Sequence, residues 1–148
     1  MKQNLAFASR LILGGVFVFA GFQHAVNPPQ EFAAVIESYL ILPPSYILPF
    51  ATILPWLELF SGIFVTAGYH TRFSVAMTGL LLLMFEMALI SIKTRGIPLD
   101  HCGCFANAFP LTPPQTMILD AALLGVAVFV FRRGRERVSL DRWIDQGR

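Results

Sequence analysis

Four stretches of this chain, Leu5 to Val26, Phe50 to Tyr69, Phe73 to Ile92 and about Pro113 to Phe131, are almost wholly apolar. Each is about twenty residues long, which is what a helix rising 1.5 Å per residue needs to cross a hydrocarbon layer of roughly 30 Å. Lipid offers no hydrogen bonds to the backbone, so a single spanning segment must satisfy its own peptide groups, and the helix does that. The sequence therefore predicts an all-α fold. It is an integral membrane four-helix bundle over residues 1–131 followed by a basic tail, 132–148. The separators carry helix-breaking chemistry: Asn27-Pro28-Pro29, Pro43-Pro44 with Pro49, His70-Thr71-Arg72, and Thr112-Pro113-Pro114. Thr112 is placed to cap the last helix, with Pro113 at its first position.

Composition closes off the other classes. Of 148 residues 55% are hydrophobic and 14% charged, against about 25% charged in an ordinary soluble protein. A soluble enzyme, a disordered tail or a secreted disulfide scaffold would need more polar surface or more cysteine. No nucleic-acid partner is expected. The net charge is +2, and six of the eleven basic residues, Arg132, Arg133, Arg135, Arg137, Arg142 and Arg148, fall in the last 17 positions, as befits a membrane-flanking tail. Counting basic residues outside the spans gives eight on one side, Lys2, Arg72 and the six C-terminal arginines, against Lys93 and Arg95 on the other. The positive-inside rule then sets both termini in the cytoplasm, with residues 27–49 and 93–112 outside. The expected location is the bacterial inner membrane, in contact with lipid. Removal of the first span as a signal peptide is not expected, because a small-x-small cleavage site is missing and Arg10 lies within the segment.

In the first outer loop Phe32, Val35, Ile36, Tyr39 and Leu40 recur at helical spacing, with Gln30, Glu31, Glu37 and Ser38 on the other side. That pattern predicts an interfacial helix lying on the membrane surface, either as a cover for the bundle mouth or as a connector. Gly14-Gly15, Ala20-Gly21, Ser61-Gly62, Gly68 and Gly79 are expected at close helix approaches. Trp56 and Trp143 read as interface anchors.

Four ionisable residues lie inside spans: Arg10, Glu58, Glu86 and Asp120. Each costs on the order of 2.5 to 3.5 kcal/mol by insertion scales, so each needs a reason to be there. Three acids against one base cannot all be charged in a low dielectric, and at least one acid is expected to hold a proton. Arg10 and Glu58 read as a packing pair, or Arg10 as a snorkelling residue. Glu86 and Asp120 are expected to face the bundle interior, either as proton-handling groups or as hydrogen-bonded packing residues.

The two cysteines, Cys102 and Cys104, flank one glycine in His101-Cys102-Gly103-Cys104-Phe105. A disulfide across one residue closes a small, bent ring, and such a bond is strained and exchangeable. His101 beside the pair could raise the thiolate fraction that attacks a disulfide. Three readings follow: a redox couple, a soft-metal ion transport or relay site that would draw on His24 and His101, and cysteines with no catalytic part in a scaffold subunit. The spacing is unlike ordinary zinc loops, and no metal site is assigned. The bundle interior could also receive a quinone head, though no sequence pattern is specific for one.

The chain resembles the small four-helix membrane proteins of the DoxX-like group and, within it, the methylamine-utilisation MauE type. The resemblance spans most of the chain. It rests on Arg10 with Gly14, Phe17 and Gly21; on Leu54-Pro55-Trp56-Leu57-Glu58-Leu59 with Gly62; on Arg95-Gly96; and on Cys102-Gly103-Cys104-Phe105 ahead of Asp120. Ala106 stands where that pattern has glycine, and His24 where the wider group has lysine. The resemblance implies a redox-associated inner-membrane protein that supports disulfide formation or electron transfer for exported partners, beside a thioredoxin-like protein.

Overall fold

The computed structural model describes residues 2–98 and 112–133. His101, Cys102, Cys104, Trp143 and the tail beyond Arg133 lie outside the described residues. Five helices follow in order: α1 (Lys2–Val26), α2 (Pro29–Ser38), α3 (Pro44–Ala67), α4 (Thr71–Arg95) and α5 (Pro113–Arg133). Four are long and apolar enough to cross a membrane, and the short α2 lies between the first two of them. Around the bundle α1 packs on α3, α3 on α4, α4 on α5, and α5 back on α1, with α2 laid against α3. The outward faces carry bare apolar side chains, including Leu80 at 61%, Phe73 at 70% and Ile118 at 73% exposure. Water would not tolerate such a surface, whereas lipid tails match it.

The helix ends follow from local sequence. Gly68 takes a left-handed conformation after α3 (φ 71°), so its own amide and that of Tyr69 both reach the Phe64 carbonyl, at 2.9 and 3.1 Å. Gly96 ends α4 in the same way (φ 65°), with the Ile97 amide on the Ile92 carbonyl at 3.2 Å. At the start of α5 the Thr112 amide donates to Gln115 Oε1 at 3.1 Å, the reciprocal half of a capping box.

Span limits differ from the expected ones mainly at α3, which starts at Pro44 rather than Phe50. Pro44 occupies the first helical position, where a missing N–H costs nothing. Pro49 deprives only the Ser45 carbonyl of a donor, and Ser45 is exposed. Both prolines thus read as breakers in the sequence and are accommodated in the helix. The first two tail residues, Arg132 and Arg133, belong to α5.

Candidate functional site

One seam sets the register of the bundle. A β-carbon at Gly14 would lie 2.8 Å from the Gly62 carbonyl oxygen, and one at Gly62 would lie 2.7 Å from the Val18 amide nitrogen. At Gly21 it would lie 2.6 Å from the Leu59 amide nitrogen and 3.0 Å from the Glu58 β-carbon. Glycine at these three positions lets α1 and α3 touch backbone to backbone. Gly15 and Gly79, expected at similar approaches, have no atom within 4 Å of the corresponding position and do not serve that purpose.

This register fixes the depth of the acids. Glu58 sits beside Gly21, so Arg10, eleven residues earlier on α1, is about 16 Å further along the helix, toward the end away from α2. The sequence-based pairing of Arg10 with Glu58 is not what the seam sets up. Arg10 is buried at 2% exposure with its guanidinium 5.3 Å from the Phe7 ring centroid. Glu58 instead has Asp120 for its acidic neighbour. The two line one small cavity of about 30 Å³ with Val16, Phe17, Ala20, Leu82, Phe85 and Leu123, contributed by all four spanning helices. At 3% and 7% exposure both carboxyls are inside the bundle. A cavity of this size exceeds the ~15 Å³ that a single water requires, and two carboxyls give such a water polar partners.

Glu58 also borders a second and larger space. A cavity of about 320 Å³ lies beneath α2 and the linker that follows it, lined by Phe32, Val35, Ile36, Tyr39, Ile41 and Leu42 above, Phe50, Leu54 and Glu58 of α3 on one side, Met84, Phe85, Met87, Ala88 and Ser91 of α4 on the other, and His24 of α1. Its walls are almost wholly apolar. His24 is three residues from Gly21 and hence about 4.5 Å, nearly one turn, nearer the α2 end than Glu58. The His24 ring stacks on Phe32 with centroids 4.1 Å apart. Glu58 Oε2 is buried and has no hydrogen-bond partner among the described residues, whereas Ser61 Oγ donates to the Glu58 backbone carbonyl at 3.0 Å.

The predicted interfacial helix is thus a roof. Phe32 and Ile36 are buried as the apolar face required, but Leu40 leaves the pattern: it takes a positive φ of 52° beyond the helix and is exposed. Arg95 Nη1 donates to the Leu40 carbonyl at 2.9 Å and so ties the end of α4 to the linker at the pocket's edge. Leu89 and Ile92 of α4 pack with Tyr39, Ile97 and Met117 at that same end. Sequence reasoning favoured Glu86 over Glu58 as a chemical group. Glu86 is half-buried, its Oε2 has no hydrogen-bond partner among the described residues, and it borders neither cavity. Among the described residues no three His, Cys, Asp or Glu side chains converge as a metal-ligand set.

A bundle of four long apolar helices, three of which border a roofed apolar pocket with a buried carboxyl at its floor, defines a multi-pass membrane protein. The sequence comparisons say which one. A family model described as "Methylamine utilisation protein MauE" matches residues 2–133, and the chain belongs to that family. The methylamine utilization protein MauE of Methylorubrum extorquens is 28% identical over 100 residues, covering 68% of this chain and 54% of the relative. That of Methylophilus methylotrophus is 32% identical over 75 residues, covering 51% and 40%. The matched part of the chain thus spans about half the length of these curated relatives. No solved structure matches.

Proposed function

We propose that this chain serves methylamine utilisation as a thiol–disulfide exchange protein of the bacterial inner membrane, acting through Cys102 and Cys104 on an exported thioredoxin-like partner. Both termini are cytoplasmic in this reading, which the distribution of Lys and Arg supports, and the α2 end of the bundle faces outward. The observation that carries it is one of position. The segment bearing the cysteine pair joins Pro98 to Thr112, and the flanking Ile97 and Met117 pack with Tyr39 at the end of the bundle where the pocket lies. An oxidising compartment outside and a bundle interior within reach of the lipid phase then meet at one place.

The exchange itself balances simply. One partner thiolate attacks a sulfur of the Cys102–Cys104 disulfide, forming a mixed disulfide and releasing the other cysteine as a thiolate. The second partner thiolate then displaces the first cysteine, leaving an oxidised partner and two thiols on this chain; the reverse sequence reduces the partner. His101 is assigned the task of holding the leaving thiolate as an ion pair. Two electrons and two protons must then leave the pair, and a quinone, when bound, accepts both. Single Cys102→Ser and Cys104→Ser variants test the reading: one of them is expected to accumulate a mixed disulfide with an exported protein. If thiol trapping before and after reduction never finds the two cysteines interconverting between thiol and disulfide, the reading is lost.

A further inference from the structure

We infer that the pocket beneath α2 is a binding site for the head of a membrane-dissolved quinone, with the Glu58 carboxyl as the group that hydrogen-bonds a ring oxygen. This deepens the exchange reading above by giving its electron partner a place, and it rests on that reading only for the direction of electron flow.

Size, lining and depth all bear on it. About 320 Å³ is at the lower end of what small-molecule sites offer, and suits a compact head rather than a bulky cofactor. Phe32, Phe50 and Phe85 supply flat apolar surface, and Met84 and Met87 supply adaptable sulfur-bearing chains that conform to a planar ring. A pocket meant only for acyl chains would need no acid, and keeping one there carries an insertion cost. Yet Glu58, at 3% exposure, stands at the floor with Oε2 buried and without a hydrogen-bond partner among the described residues, the arrangement expected where a ligand atom completes the set. A carboxyl serves both redox forms of such a head, donating to a quinone carbonyl when protonated and accepting from a quinol hydroxyl when ionised. Glu58 also lines the small cavity that holds Asp120, so a proton received from the head has a second carboxyl to go to.

Photolabelling of the purified full chain with an azido-ubiquinone, competed by decylubiquinone or by oleate, tests the site. Saturable labelling of the segments 50–58 and 84–91, displaced by decylubiquinone and not by oleate, is the expected result. Equal displacement by oleate would make this an acyl-chain pocket, and unsaturable labelling would make it no site; either overturns the inference. Glu58→Leu is expected to weaken displacement by decylubiquinone about tenfold, whereas Glu58→Gln, which keeps a donor and an acceptor, stays within about threefold. Unchanged affinity in Glu58→Leu would refute the assigned contact. Should that variant fail to fold, Ala88→Phe fills the pocket from its half-buried α4 wall and is expected to abolish saturable labelling. The same labelling on the Cys102→Ser, Cys104→Ser double variant separates the two proposals. Labelling kept while thiol exchange proves absent in the native chain defeats the exchange reading alone, and labelling absent while exchange persists defeats the site alone.

Discussion

Helix α3 has two unlike sides. Toward α1 it offers Gly62, which meets Gly14 and the Val18 amide with no side chain between the backbones. Toward α4, one to three turns nearer α2, it offers Glu58, Leu54 and Phe50, which stand off and leave a cavity of about 320 Å³. The same helix is thus a welded joint on one side and a pocket wall on the other. Lipid tails are as apolar as leucine, so helices in a membrane associate by fit rather than by expulsion from water. A bundle with a pocket between its helices loses fit there and must recover it elsewhere. The α1–α3 seam is where this chain recovers it, and Glu58, beside Gly21 on one side and the cavity on the other, sits at the junction.

The contrast can be broken most directly at the seam. Gly62→Leu is expected to destabilise the bundle by more than about 3 kcal/mol, since the new side chain must push apart backbone rather than flexible groups. The recovery of monodisperse protein in detergent and its resistance to thermal aggregation measure this. On the pocket side, Phe32→Ala removes the ring that stacks on His24 and is expected to cost about 3 kcal/mol, confined to the seating of α2. Limited proteolysis at residues 27–43 should speed up while the spans remain resistant; loss of the whole fold would show that the roof and the seam are not separate units. A smaller effect is expected of Arg95→Ala, about 1 kcal/mol or less, because its one described hydrogen bond to the Leu40 carbonyl is exposed. Hydrogen exchange of the Tyr39–Leu42 amides should rise with little change elsewhere. Gly79→Ala, where nothing crowds the position, should leave stability unchanged or raise it by about 0.5 kcal/mol. A loss there as large as that at Gly62 would mean that glycine content, rather than the seam, holds the bundle together.

The spans were legible because twenty apolar residues in a row leave the backbone few alternatives. The start of α3 was not, since proline punctuates a sequence equally whether it lies outside a helix or in its first turns, and exposure of the Ser45 carbonyl is a property of the fold. The amphipathic spacing of Phe32 and Ile36 identified α2, while its role as a roof depended on where α4 ends and on the positive φ at Leu40. Among the acids, depth in the spans marks Glu86 and Asp120 as chemical candidates and Glu58 as a packing partner of Arg10. Which of them share a cavity depends on helix rotation about the bundle axis, and the seam glycines set that rotation. The Gly14, Gly21 and Gly62 pattern was visible, but its consequence for Glu58 needed the register. The cysteine motif remains the most specific signal in the sequence, and its positions lie outside the described residues.

The lengths of the helices carry one further consequence. Helix α4 has 25 residues and α5 has 21, so they measure about 37 and 31 Å against a hydrocarbon layer of roughly 30 Å. A helix longer than the layer tilts or projects, and α4 ends in Arg95, whose guanidinium holds the linker beside the roof. About 7 Å of α4, a little over one turn, exceeds the layer, and that is the length Arg95 needs to hold the linker from the level of the headgroups rather than from within the hydrocarbon.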